Sequence, residues 1–214
     1  LKRAAADRAA WAGRIEAKEF AAIQGDPQLM AYVRESGRTL FGDNCAACHG
    51  RAAQGGKGFP TLTSSSWLWG GDPDAIAETI RVGINSSHPE SRVSQMLAFG
   101  REGMISREDI ENVVAYVRSL SNQPGLPAEK AAAGREVFAA NCASCHGETG
   151  AGQTDVGAPN LADAFWIYGG DEEAIFNTVW NGRQGHMPTW ESRLSALDRK
   201  ILTLYLVDLR KPDQ

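Results

Sequence analysis

The segment NCAACHG at residues 44–50 returns as NCASCHG at residues 141–147. Each copy contains the pattern Cys-x-x-Cys-His, and the two motifs hold all four cysteines of the chain: Cys45, Cys48, Cys142 and Cys145. No cysteine is left over for a disulfide framework. The fold therefore has to provide two similar sites, one around each Cys-x-x-Cys-His motif.

The similarity between the copies extends well beyond the motifs. GRTLFGDNCAACHG (37–50) aligns with GREVFAANCASCHG (134–147), WLWGGDPDAI (67–76) with WIYGGDEEAI (166–175), and AYVRSL (115–120) with LYLVDL (204–209). Between its glycine and its methionine, the first copy (84–95) holds eight residues more than the second (183–186). The chain is thus a tandem duplication with a loop inserted in copy one.

This repeat predicts the domain organisation. Residues 1–36 precede both copies and read as an N-terminal helical segment, in which Asp26 and Pro27 start a helix. Residues 37–121 form the first predicted domain and residues 129–214 the second. Residues 122–128 form a linker, because SNQPGLP (121–127) contains two prolines and a glycine.

Helical periodicity dominates both copies, so each is predicted to be all-α. A short helix runs into each cysteine motif, and a longer helix ends each copy after an N-capping serine, Ser106 or Ser195. The GGD turns place Asp72 and Asp171 as caps of a further helix.

Small and aromatic residues recur at helical spacing on the first helix of each copy. A glycine there allows the last helix to cross closely, with its tyrosine against the neighbouring phenylalanine. The residues are Gly37, Phe41 and Tyr116 in copy one, and Gly134, Phe138 and Tyr205 in copy two.

Copies of this length, rich in loops, bury too little apolar surface to fold unaided, and a large apolar cofactor would complete the core. Cys-x-x-Cys-His is the attachment pattern of c-type haem. The two thiols bond to one edge of the macrocycle, and His49 or His146 then faces the iron. Zinc requires a second closely spaced ligand pair, and a thioredoxin-like pair requires a preceding strand. Neither feature is visible, so two covalently bound haems are predicted.

The opposite face of each iron needs a second protein ligand. The repeat alignment selects Met96 in copy one and Met187 in copy two. His88 in the inserted loop and Met104 are alternatives to Met96, and His186 is the alternative to Met187. Ligation by His and Met suits electron transfer and leaves little room for a substrate.

Other repeated residues are candidates for shaping each haem crevice. The carbonyl groups of Pro60 and Pro159 are predicted to accept a hydrogen bond from the free ring nitrogen of each ligand histidine. Trp67, Trp69 and Trp166 are predicted to line the crevice, where an indole N–H reaches a haem propionate or simply packs in the core.

Charge and hydropathy limit the classes of partner. The net charge is −4, and the chain has no basic patch of the kind that nucleic acid requires. The longest apolar run near the C-terminus, ILTLYLV (201–207), is too short to cross a bilayer. No secretory leader opens the chain, and the absence of an initiating Met is expected of a processed or truncated product, so that an upstream anchor is missing.

The order helix, Cys-x-x-Cys-His, loop, Met and closing helix over residues 37–210 resembles class I cytochrome c domains. A narrower resemblance is carried by GFPTLTSSSWLWGGDPDAI, RVGINSSHPESRVSQMLAFGREGMIS, GAPNLADAFWIYGG and NGRQGHMPTW. These segments look like the dihaem CcoP or FixP subunits of cbb3-type cytochrome c oxidases, although Leu97 stands where that family usually has proline.

This resemblance implies an electron-transfer subunit with no substrate chemistry of its own. It implies a periplasmic position at the bacterial inner membrane, an N-terminal transmembrane anchor before residue 1, and electrons passing from a donor cytochrome c through both haems to the other oxidase subunits.

Three alternatives remain open from the sequence. They are a free-standing periplasmic dihaem carrier of the cytochrome c4 type, the cytochrome subunit of a periplasmic dehydrogenase, and a dihaem peroxidase or gas sensor with one exchangeable axial position.

Overall fold

The computed structural model describes residues 10–121 and 127–210, which are helices joined by ordered loops. These residues contain isolated β-bridges but no β-strand, so the all-α prediction is confirmed. Besides a helical stretch at residues 10–16, the helices are α1 (Phe20–Gln24), α2 (Pro27–Asn44), α3 (Ala46–His49), α4 (Pro73–Val82), α5 (Arg107–Leu120), α6 (Ala128–Asn141), α7 (Ala143–His146), α8 (Glu172–Asn181) and α9 (Ala196–Leu209).

Side-chain caps start the longer helices as the sequence predicts. The carboxylate of Asp26 accepts hydrogen bonds from the backbone N–H groups of Gln28 and Leu29, and Pro27 occupies the first helical position. Corresponding caps are made by Asp72, Ser106, Asp171 and Ser195. Helix α2 continues without a break, so the boundary predicted at residue 36 falls inside it.

The N-terminal segment packs onto the rest of the protein. Ile15 and Ile23 are fully buried in one cluster with Leu29 and Val33 of α2 and Leu204 of α9. Burying such side chains contributes roughly 1.5–3 kcal/mol each. No helix among the described residues is long and apolar enough to cross a membrane.

The two sequence copies exchange their closing helices. Helix α9 of copy two packs on α2 and α4 of copy one, whereas α5 of copy one packs on α6 and α8 of copy two. Tyr205 lies over Gly37 and Phe41, its ring centroid 6.0 Å from that of Phe41. Tyr116 lies over Gly134 and Phe138, with ring centroids 5.2 Å apart. The predicted contact types are present, but each joins one copy to the other.

This exchange creates two packing units. The inner unit is the continuous segment 96–181, with α5 to α8 around Phe138 and Val113. The outer unit combines residues 27–83 with residues 187–209, around Phe41 and Leu202. Most of the predicted linker, 122–126, lies outside the described residues, and it joins α5 to α6 within the inner unit.

Replacing Gly134 by alanine should destabilise the inner unit. A methyl group there would overlap the carbonyl oxygen of Asn112 and lie 2.9 Å from Cβ of Tyr116, so we expect a loss of about 1–3 kcal/mol. Gly42→Ala is the matched helical control, because no atom lies within 4 Å of its added methyl group. The control should gain about 0.5–1 kcal/mol. Denaturant unfolding of both variants measures the difference, and equal stabilities would contradict the close crossing.

Candidate functional site

Each cysteine motif sits at a sharp junction between two helices. Cys45 ends α2, where its backbone N–H donates to the carbonyl of Phe41 at 2.8 Å, and it also starts the single turn α3. Cys142 does the same between α6 and α7, with a 2.8 Å bond to Phe138. The turn that follows brings both cysteines and the histidine of each motif to one side of the junction.

Proline carbonyls orient both motif histidines. Nδ1 of His49 donates to the carbonyl of Pro60 at 3.0 Å, and Nδ1 of His146 donates to that of Pro159 at 3.0 Å. Burial lowers the pKa of both histidines, opposed by these hydrogen bonds. The predicted hydrogen bonds from both histidines to the proline carbonyls are confirmed. With Nδ1 bonded in this way, Nε2 of each imidazole is left available to a metal.

The first thiol of each motif is not activated for redox chemistry. Burial, together with the neighbouring Cys48, raises the pKa of Cys45 to about 11. Burial and Cys145 raise the pKa of Cys142 to about 11 as well. A thioredoxin-like pair requires a lowered thiol pKa, so the electrostatics oppose that interpretation. No group of three or more His, Cys, Asp or Glu side chains suited to a metal occurs in the described part of the chain.

Each of the two methionine loops packs against the other sequence copy, as the closing helices do. Met187 exchanges two backbone hydrogen bonds of 2.9 Å with Ile84 and packs in the cluster that contains Cys45. Met96 exchanges bonds of 2.8 and 3.0 Å with Arg183 and packs in the cluster that contains Cys142. Each methionine thus lies beside the cysteine motif of the other copy.

One cavity of about 710 Å³ joins the two motifs. All the predicted site residues line it: Cys45, Cys48, His49, Met96, Cys142, Cys145, His146 and Met187. Trp69 and Trp166 line it as predicted, whereas Trp67 packs beside Cys45 and donates its indole N–H to the carbonyl of Ser64 at 2.9 Å.

Polar atoms at this cavity fit a large apolar group that carries carboxylates. The indole nitrogen of Trp69 is buried and has no hydrogen-bond partner among the described residues. Arg183 lines the cavity and lies over the Tyr168 ring, 4.4 Å from its centroid. Arg92 is not a lining residue but lies over the ring of Trp69, which is one, at 5.1 Å. An unpaired buried donor costs about 1–3 kcal/mol unless a ligand satisfies it. The propionates and porphyrin of haem suit these surroundings.

Comparison with known proteins agrees with this geometry. The family model "Cytochrome c" matches residues 34–121, and the model "Cytochrome C oxidase, cbb3-type, subunit III" matches residues 129–206. The subunit FixP of a cbb3-type cytochrome c oxidase from a Bradyrhizobium species is 48% identical, with 89% of this chain and 66% of that protein covered. CcoP of an Azospirillum species is 43% identical, with 98% of this chain and 73% of that protein covered.

The chain belongs to the CcoP/FixP family of cbb3-type oxidase subunits. It spans about two thirds of the length of these curated relatives. Its two cytochrome c domains are tandem in sequence and carry two covalently bound c-type haems, consistent with the cysteine pairs Cys45/Cys48 and Cys142/Cys145.

The side chains considered as alternative ligands are His88, His186 and Met104, and their surroundings differ from those of Met96 and Met187. His88 pairs its Nε2 with a carboxylate oxygen of Glu191 at 2.7 Å, and its Nδ1 accepts the backbone N–H of Glu90. His186 is exposed and donates to the carbonyl of Asn85. Met104 is half exposed at the edge of the cavity. Met104 and His186 line the cavity, but Met104 is not among the hydrophobic residues packed around Cys45 or Cys142.

An ion-pair cluster fastens the Met187 loop to the inserted loop and α4. Arg81 binds Glu78, Glu90 and Glu191 at 2.6–3.0 Å, and Glu191 also binds His88. Neither Glu191, in a loop, nor Arg81, in the last turn of α4, belongs to a motif or a periodic pattern, so the sequence alone does not point to this cluster.

Acid should weaken this cluster at a pH set by Glu191. Its bond to His88 and then its bond to Arg81 lower its pKa from the usual value of 4.5. The charged carboxylate therefore stabilises the fold above about pH 4.5, and this contribution is lost as the pH falls through the lowered folded-state value. In Glu191→Gln, we expect a shallower loss of stability below pH 4.5. Denaturant midpoints across a pH series measure it, with Glu173→Gln as the exposed control; identical slopes for wild type and Glu191→Gln would contradict the prediction.

Proposed function

We propose that this chain is the electron-relay subunit of a cbb3-type cytochrome c oxidase and performs no substrate chemistry of its own. One observation carries the proposal: both cysteine motifs and both methionines line a single continuous cavity. Haems held by these residues in one cavity would be close enough to exchange electrons within the protein rather than through solvent.

We assign the axial ligands across the copies. His49 and Met187 would ligate the haem attached to Cys45 and Cys48, because Met187 packs in the cluster of Cys45. His146 and Met96 would ligate the haem attached to Cys142 and Cys145, because Met96 packs in the cluster of Cys142. The pairing of His88 with Glu191 supports Met96 over His88.

When bound, each haem supplies one-electron exchange at its iron, and His/Met ligation gives a higher potential than His/His ligation. The protein's own residues prepare that exchange. The carbonyls of Pro60 and Pro159 fix the orientation of the imidazoles. Buried Phe41, Phe138 and Trp190 keep water from the cavity walls. With His49 and Met187 holding one haem and His146 and Met96 the other, no position would be left for oxygen or peroxide.

The partners follow from the names of the relatives. Relatives named as subunits of cbb3-type oxidases support assembly with the other subunits of such an oxidase. We propose further that a donor cytochrome c delivers the electrons, that the haem units lie on the periplasmic side of the bacterial inner membrane, and that an anchor preceding residue 1 holds them there. Nucleic acid is not a proposed partner.

Redox titration of the matured protein tests the proposal. We expect two haems per chain by mass, two reversible one-electron steps, and slow, incomplete binding of carbon monoxide to the reduced protein. Met187→Ala should admit one equivalent of carbon monoxide rapidly, which shows that the assay detects an open iron. Rapid and complete binding at one haem of the wild type would instead favour a peroxidase or gas sensor.

A further inference from the structure

Asn85, in the inserted loop, has a backbone conformation that few residues adopt. Its φ is +48°, one of two positive values among the described residues other than glycine. Asparagine tolerates the left-handed region better than other L residues, yet the conformation still costs roughly 1–2 kcal/mol. It persists where surrounding contacts fix it, so the contacts of Asn85 indicate its role.

The side-chain amide of Asn85 connects the two methionine loops. Its Nδ2 group donates to the carbonyl of Ser94 at 2.8 Å and to the carbonyl of Gly185 at 2.7 Å. Its Oδ1 accepts the backbone N–H of Ser94 at 3.2 Å. Ser94 stands two residues before Met96, and Gly185 stands two residues before Met187. One amide therefore bonds to both loops at the same distance in sequence from each methionine.

The backbone around Asn85 reinforces this connection. Its carbonyl accepts a hydrogen bond of 2.9 Å from Nδ1 of His186, the residue directly before Met187. The preceding residue, Ile84, is the backbone partner of Met187. Gln184 occupies the corresponding sequence position in copy two and is exposed. The bridge thus comes from the first copy, from the loop that is eight residues longer there than in the second copy.

We propose that Asn85 is a positioning residue that couples the two methionine loops, so that release of either methionine from its haem loosens the other. This inference rests on the methionine ligation proposed above. Asn85 is not a haem ligand in this assignment; it acts through its hydrogen bonds to Ser94 and Gly185. Both haems would then depend on a single side chain outside both cysteine motifs.

Holoprotein variants test the coupling. Asn85→Gly keeps the left-handed backbone but removes the amide, and Asn85→Asp keeps an acceptor while removing both donated hydrogen bonds. Gln184→Gly is the matched control. Two readouts apply: the upfield methyl resonances that the haem ring current gives to ligated methionines, and imidazole binding to the oxidised protein.

We expect two upfield methyl resonances in the wild type and in Gln184→Gly. In both Asn85 variants, both resonances should shift or broaden, and imidazole should bind about tenfold more tightly at both haems, the equivalent of two lost hydrogen bonds of ordinary strength. A change at one haem only, or at neither, overturns the coupling. A wild type that lacks these resonances contradicts the ligation itself.

Hydrogen exchange in the wild type decides the case if neither variant matures with two haems. The backbone N–H groups of Met96 and Met187 are both hydrogen-bonded, to Arg183 and Ile84. Coupled loops should open together, giving the two amides opening free energies that agree within a factor of about three in the equilibrium constant. Protection that differs by more than tenfold overturns the proposal.

Discussion

Removing His49 and Met187 together is expected to open one haem and leave the other unaffected. The two side chains come from different sequence copies, but His49 belongs to the motif of Cys45, and Met187 packs in the cluster that contains Cys45. The haem on Cys142 and Cys145 would keep His146 and Met96. The reduced double variant His49→Ala/Met187→Ala should therefore bind one equivalent of carbon monoxide per chain, provided that mass spectrometry shows two attached haems.

The matched partner of this experiment is His49→Ala/Met96→Ala. These residues belong to the same sequence copy but to different packing units. Each haem would lose one axial ligand, so two equivalents of carbon monoxide should bind. If the copies instead folded separately, the two double variants would exchange their results. The stoichiometries one and two thus distinguish the exchanged fold from the unexchanged one without any structure determination.

Substituting Gly83 should displace the Met187 loop. Gly83 has φ of +73°, and a methyl group there would overlap the carbonyl oxygen of Met187. Gly83→Ala adds backbone strain of about 1–2 kcal/mol to an overpacking cost of about 1–3 kcal/mol. We expect a comparable total loss in denaturant unfolding and faster carbon monoxide binding at the haem on Cys45 and Cys48.

Variants at two further glycines separate the cost of backbone strain from the cost of the close contact with a methionine loop. Gly182 has φ of +68°, and its added methyl group would overlap the carbonyl oxygen of Met96, so Gly182→Ala should affect the haem on Cys142 and Cys145. Gly103 has φ of +65°, but no atom lies within 4 Å of its added methyl group. Gly103→Ala should show the strain cost alone and normal carbon monoxide binding. A Gly83→Ala protein as stable as Gly103→Ala would rule out the close approach to Met187.

Local features of this protein were predictable from the sequence, because each rests on residues close together in the chain. Asp26, Ser106 and Ser195 cap helices through bonds to residues two or three positions on. Pro60 and Pro159 bind the motif histidines across one loop each. The cysteine motifs and the order of the elements identified the family and the two haems.

The exchange of helices between copies was not predictable, because the duplication hides it. Gly37 and Gly134 each lie under a tyrosine of a closing helix, and the sequence places the same residue types in both copies. The sequence pattern is the same for both pairings, so it does not select one of them. The division into residues 37–121 and 129–214 stays a prediction about sequence copies, and the packing units cut across it. Asn85 was missed for a related reason, since it has no counterpart of the same type in copy two.

The continuous inner unit has a consequence for biogenesis. A ribosome completes residues 96–181 while the outer unit still lacks α9 and the Met187 loop. We therefore expect folding to proceed from the middle of the chain outward, against the usual order in which an N-terminal domain forms first. The first attachment motif in the chain belongs to the unit that closes last, so Cys45 and Cys48 are expected to stay accessible to the maturation machinery for longer than Cys142 and Cys145.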